Sequence, residues 1–119
     1  KLIVDALNNQ SKIDPSKVII DHVEEHTANI VLSNGYWAGM TLYPESKVTH
    51  NRAIDMLEMF GDENVWLNSA CDWGISDPLS VPKAALEMRR RGYDDEYIDK
   101  IVYKNPVKFM SQSGKFKLH

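Results

Sequence analysis

The sequence predicts an α/β fold with parallel strands, and three observations carry that prediction. First, short apolar runs alternate with amphipathic stretches in the order helix, strand, helix, strand, helix, strand, helices. Such alternation implies parallel strands joined by right-handed crossovers. Second, two of the runs, Val18-Ile19-Ile20-Asp21-His22 and Val65-Trp66-Leu67-Asn68-Ser69-Ala70-Cys71-Asp72-Trp73-Gly74, end abruptly in residues able to bind a metal. Short apolar runs bounded by turn signals read as central strands. Third, a three-stranded parallel sheet with one helical layer leaves an edge or a face uncovered. Further strands are the expected remedy. The 119 residues therefore read as a single unit, the C-terminal portion (about three βα units) of a closed (β/α)8 barrel. An open parallel, doubly wound α/β sheet is the alternative. No Gly-x-Gly-x-x-Gly or Walker-type lysine loop follows any strand, which counts against nucleotide-binding versions.

Leu2, Ile3, Ala6 and Leu7 have helical spacing, so residues 1–9 read as the tail of an amphipathic helix, ended by Asn8-Asn9-Gln10-Ser11. Asp14-Pro15-Ser16 is turn chemistry. Lys17 to Asp21 is the first strand. A helix from about Glu24 to Ser33 carries Ala28, Val31 and Leu32 on its apolar side, and Asn34-Gly35 stops it. Tyr36 to Leu42 is the second strand; Gly39 within it signals close approach by a neighbouring backbone or a barrel bend. After the loop Tyr43-Pro44-Glu45-Ser46, Thr49 caps a helix from about Asn51 to Phe60, whose stripe is Ile54, Leu57 and Phe60 with Ala53 and Met56. Gly61 ends it. Val65 to Asn68 is the third strand, followed by a long loop to Ser80. A helix begins near Val81-Pro82 and runs to Arg91, stopping at Gly92. Asp94 caps another, Asp95 to Tyr103, which Asn105-Pro106 breaks. A short turn then carries Val107, Phe109 and Met110, and residues 111–119 form a polar tail.

Composition narrows the class. With 43% hydrophobic and 26% charged residues the chain is a folded protein, not a disordered one. A net charge of −3 gives no electrostatic case for a polyanion partner. The single cysteine, Cys71, excludes an internal disulfide and suits a reducing compartment, so a cytoplasmic location is expected. No apolar run approaches the roughly 18 residues of a membrane span. The start is too short and too acidic for a signal peptide. The chain does not begin with Met, and its first residues read as the middle of something, hence as a processed chain or a fragment.

In parallel α/β folds chemistry sits just beyond the carboxyl ends of the strands, where His22 and Asp72 stand. A carboxylate there can bind a cation and take a proton from a water. The structural alternative for Asp72 is a cap or loop brace before Gly74. A neutral imidazole at His22 suits zinc, manganese or iron; the alternative is a satisfied histidine at a strand end. Asp21 could orient His22, but the preferred reading places it on the strand's other face, paired with a helix residue. His26 reads as a helix-start residue, since a His-x-x-x-His zinc pair needs a helix that His22 lacks. His50 and His119 read as exposed bystanders. Trp73, Asn68, Ser69 and Tyr43 lie at or beyond strand ends and are candidates for a substrate pocket, with Trp73 offering apolar surface and one donor. Cys71 reads as buried rather than nucleophilic. Arg89-Arg90-Arg91 reads as a solvated helix end that complements the helix dipole, and the methionines as packing.

Taken together, these pieces resemble the C-terminal portion of a TIM-barrel metal-dependent hydrolase of the amidohydrolase superfamily, closest to TatD-like proteins. The resemblance rests on Val18-Ile19-Ile20-Asp21-His22, on Gly35-Tyr36-Trp37-Ala38-Gly39-Met40 as a Gly-aromatic-x-Gly strand, on Val65 to Trp73, and on Tyr103-Lys104-Asn105-Pro106-Val107-Lys108-Phe109 as the closing helix. It spans most of residues 13–112 and makes the three strands the sixth to eighth of a barrel. It implies a divalent metal, zinc first with manganese or iron as alternatives, held by His22 and Asp72. It further implies that Asp72 accepts a proton from a metal-polarised water. The implied substrate is a small molecule or a phosphodiester, with phosphodiester, ester, lactone or amide bonds all within the superfamily. The remaining ligands would lie upstream, in a missing N-terminal part of the barrel; a second copy of the chain is the other expected partner, and a membrane is not. Ala70-Cys71-Asp72 stands where the family has an acid–Thr–Asp or Ser–His–Asp pattern, which leaves the substrate class open.

Overall fold

The computed structural model describes residues 1–45, 47–70 and 74–118. Helix α1 is Leu2–Asn8 and strand β1 is Ile19–Ile20; helix α2 (Glu25–Ser33) leads to strand β2 (Trp37–Leu42), and helix α3 (His50–Phe60) to strand β3 (Val65–Ser69). Helices α4 (Ser80–Arg90), α5 (Asp95–Asp99) and α6 (Asn105–Ser111) follow. The strands form one parallel sheet in the order β1-β2-β3. Its register sets Ile19 beside Trp37, Gly39 beside Trp66 and Thr41 beside Asn68. A parallel α/β fold is therefore what the molecule has. Among the described residues no helix is long and apolar enough to cross a membrane.

Local chemistry sets the element ends. Thr49 Oγ1 accepts from the Arg52 amide and Asp94 Oδ1 from the Tyr97 amide, so the two caps expected at α3 and α5 are made. At α2 the Thr27 hydroxyl accepts from the Glu24 amide at 2.9 Å. Gly61 ends α3 at φ 85°, a conformation open to glycine and costly for other residues. Strand β1 is shorter than the Lys17–Asp21 run suggests. Pro15–Lys17 is a 3-10 turn, held by the Asp14 carboxylate accepting from the Ser16 amide at 3.0 Å. Beyond Ile20 the backbone leaves the sheet at His22.

The two faces of the sheet are different. One carries Ala38, Met40, Leu42, Val65 and Leu67 into a core with Ala28 and Val31 of α2, Ile54 and Leu57 of α3, and Ala84 and Met88 of α4. The other carries Trp37 and Trp66, whose rings meet the edge of Phe109 at 5.4 and 5.2 Å. Every residue of β2 is buried, as a central strand covered on both sides requires.

Pro106 corrects one expectation. The chain does not break at Asn105-Pro106; helical structure runs from α5 through one wide π turn, Lys100–Lys104, into α6. The reason is positional. The π turn reorganises the hydrogen bonding just ahead of Pro106, and the proline falls in the first turn of α6, where a missing N–H costs little. The buried Asn105 amide then donates to the carbonyls of Asp62 (2.9 Å) and Val65 (2.7 Å). That pair of bonds docks α6 at the amino end of β3, and Phe109 covers the sheet's second face from there.

Candidate functional site

The polar site lies at the opposite, carboxyl end of the sheet. Asp21 follows β1 directly and sends its carboxylate across the face that carries Trp37 and Trp66. Its Oδ1 accepts from Thr41 Oγ1 of β2 at 2.9 Å and from Asn68 Nδ2 of β3 at 3.0 Å. One carboxylate oxygen thus ties the ends of all three strands together. This overturns the preferred reading of Asp21: its partners are the two neighbouring strands, not a helix. The close approach signalled by Gly39 is that same side chain. A Cβ at position 39 would lie on Asp21 Oδ1, 2.9 Å from its Cγ and 3.2 Å from its Cα.

His22 takes φ 58°, a left-handed conformation unusual for a non-glycine residue. The turn exposes its ring and brings it 6.3 Å from the Tyr43 ring, tilted by 33°. The next residue re-enters the fold: the Val23 amide donates to the Gly39 carbonyl at 3.0 Å, and the Val23 side chain is buried. Tyr43, just past β2, is buried and fixed by its amide donating to the Val48 carbonyl at 2.9 Å. The Lys47 ammonium lies 5.3 Å from the Tyr43 ring centre, and Lys47 also has positive φ, 69°. Such backbone strain clusters at sites that bind or react.

Of the residues singled out from the sequence, His22, Tyr43 and Asn68 come together at this end of the sheet. Ser69 pairs with Leu42 at the last rung of the ladder. Asp72 and Trp73, with Cys71, lie outside the described residues, as does His119. His26 is the second residue of α2 and His50 the first of α3, as expected; His50 is half-buried rather than exposed. The arginine run is fully engaged by acids: Arg89 with Asp95, Arg90 with Glu87, and Arg91 with Asp55, Glu58 and Glu87. The hydrogen bond that Arg91 donates to Asp55 raises the Arg91 pKa above its ordinary value.

The described residues supply part of a donor set for a divalent cation. Among the described residues no cluster of three His, Cys, Asp or Glu side chains forms. Asp21 and His22 nonetheless supply a carboxylate and an imidazole, donors that suit zinc, manganese or iron. The sequence pointed to His22, Tyr43 and Asn68 but missed Thr41 and misplaced Asp21. Strand alternation carried the missing signal: Gly39, Thr41 and Asn68 share one face, and only a glycine there leaves room for a carboxylate.

No family model matches the chain. A protein of Methanocaldococcus jannaschii described as an uncharacterized metal-dependent hydrolase is 31% identical over 101 residues, 85% of this chain. The chain spans only 39% of that relative's length. The chain is also similar in fold to a β-aspartyl dipeptidase of Fervidobacterium islandicum AW-1, solved in complex with a β-Asp-Leu dipeptide. The TM-score is 0.66 at 15% identity, over 89% of this chain and 33% of that one.

Proposed function

We propose that this chain is the C-terminal part of a metal-dependent hydrolase with a TIM-type barrel, TatD-like in its closest affinity. The observation that carries the reading is the meeting of Asp21, Thr41 and Asn68, with His22 and Tyr43 beside them, at the carboxyl ends of three parallel strands. That is where parallel α/β enzymes place their chemistry. The relative described as a metal-dependent hydrolase supports the same reading.

His22 and Asp72 are the residues of this chain that would hold the cation, zinc before manganese or iron. When bound, the cation supplies a Lewis acid that polarises an acyl or phosphoryl oxygen and acidifies water. Asp72 accepts the proton of the attacking water as general base and returns it to the leaving group. His22 contributes its imidazole to the cation or to the charge that develops on the substrate. Asn68, oriented by its bond to Asp21, offers its remaining amide atoms to the substrate, while Tyr43 and Trp73 supply aromatic walls. The bond cleaved is a phosphodiester, ester, lactone or amide of a small molecule or of a phosphodiester substrate. The remaining ligands come from barrel strands upstream of this sequence.

Elemental analysis of metal per chain tests the proposal, on the protein with everything its gene encodes upstream, for wild type and Asp72→Asn. One or two equivalents of zinc, manganese or iron that fall in the variant are expected. A wild type that holds no metal even after reconstitution would replace the hydrolase with a non-catalytic barrel that scaffolds or binds.

A further inference from the structure

Asp21 is held in an unusual way for a surface carboxylate. Both of its described hydrogen bonds, from Thr41 and Asn68, end on the same oxygen, Oδ1. Oδ2 receives none from any described residue. No described lysine, arginine or histidine stands within ion-pair distance of either oxygen. The side chain occupies a space that exists only because residue 39 is glycine. Two neutral donors fix the direction of the carboxylate without neutralising it. Carboxylates that ligate metals are commonly arranged this way, one oxygen hydrogen-bonded to neighbouring side chains and the other on the ion.

We infer that Asp21 is a ligand of the divalent cation, through Oδ2, and that Thr41 and Asn68 are the residues that aim it. The inference rests on the metal-dependent reading above and adds a residue to it. It also assigns Gly39 a purpose. Strand alternation sends Asp21 into the face shared with Thr41 and Asn68, whereas His22 leaves the sheet through its left-handed backbone. The carboxylate, rather than the imidazole, is therefore the group that β1 projects over the end of the sheet. An oxygen ligand at this position shifts the donor set toward harder ions, manganese among them.

Two substitutions at position 21, in the protein with everything its gene encodes upstream, decide the matter. Asp21→Asn keeps a carbonyl oxygen for Thr41 and Asn68 but replaces Oδ2 with an amide nitrogen that does not coordinate. Zinc affinity, read by competition with a chromophoric chelator, is expected to fall by about 100-fold or more, while Thr41→Val and Asn68→Ala lose about 10-fold to 100-fold. An Asp21→Asn protein that folds and binds zinc as wild type does would overturn the inference. Asp21→Cys gives a positive reading that does not depend on comparing affinities. After cobalt loading, a thiolate-to-cobalt charge-transfer band absent from wild type appears if residue 21 touches the ion. Its absence from a folded, cobalt-loaded Asp21→Cys protein counts against the inference. Wild type that binds neither zinc nor cobalt sinks the hydrolase reading itself, a result distinct from wild type that binds both and is indifferent to position 21.

Discussion

At position 39 the absence of a side chain decides where Asp21 can go. A methyl group there would overlap the Asp21 carboxylate and stand 3.2 Å from its Cα, so the carboxylate must swing away and the backbone give by a small amount. Gly39→Ala is expected to cost about 1–3 kcal/mol, the usual range for overpacking, with loss of the bonds from Thr41 and Asn68. Denaturant unfolding checks the first part; a midpoint equal to wild type would show that the sheet end yields freely. A second residue-scale device links α2 to α3. The Arg52 guanidinium donates to Glu25 at 2.6 and 3.0 Å. That hydrogen bonding lowers the Glu25 pKa and raises that of Arg52. A carboxylate whose folded pKa is depressed stabilises the fold above its unfolded pKa, and the stabilisation disappears as pH falls through the folded value. The Tm gap between wild type and Glu25→Gln should therefore be widest at neutral pH and close on acidification; a gap constant with pH contradicts the assignment. His22, Asn68 and Tyr43 were legible as candidates for the carboxyl end of the sheet because each ends an apolar run. Asp21 was not, because its role depends on a space that another strand leaves empty.

Among the elements, those with a strong local signal were legible and those decided by distant contacts were not. Helix α3 has an apolar stripe, a threonine cap and a terminal glycine, and all three are realised. Strand β2 is buried along its whole length, and it is the central strand. The Asn105-Pro106 pair has the local chemistry of a break, yet the helical path continues through the π turn ahead of Pro106, and the Asn105 side chain then bonds two carbonyls at the start of β3, some 40 residues away in sequence. No local pattern encodes that partner. Asn105→Ala would leave the buried Val65 carbonyl and the Asp62 carbonyl without this donor, a loss of about 1–3 kcal/mol. It would also free α6 from the sheet, so Phe109 should lose its packing against Trp37 and Trp66. Near-ultraviolet circular dichroism reports the tryptophan environment directly. The expected result is a weakened tryptophan signal together with a lower Tm; an unchanged signal would mean that Phe109 packing alone holds α6 in place.

For the molecule as a whole, the described sheet has three parallel strands and two outer edges. Parallel strands are normally covered on both faces and flanked by further strands, but β1 and β3 each pair on one side only among the described residues. Beside the open edge of β1 lies a cleft of about 170 Å³, lined by Ile3, Val4, Ile20, Asp21, His22 and Ile30 among others. Ile3 is 65% exposed there. On the second face of the sheet the Trp66 indole N–H is buried with no described partner, a state that costs free energy until an acceptor arrives. The proposed barrel would answer the open edge, the cleft and the orphan donor together, with neighbouring strands flanking β1 and β3 and an acceptor presented to Trp66. Open sheet edges are templates for association. The 119 residues produced alone should therefore self-associate with rising concentration in sedimentation velocity. Joined to the preceding sequence of the gene, they should sediment without that concentration dependence. Lysine substitution at Ile3, in the cleft, should reduce self-association of the isolated chain while leaving its far-ultraviolet spectrum intact. A chain that stays monomeric on its own at high concentration and unfolds in one cooperative step would instead be a self-sufficient open sheet, and the barrel would have to be abandoned together with the upstream ligands it supplies.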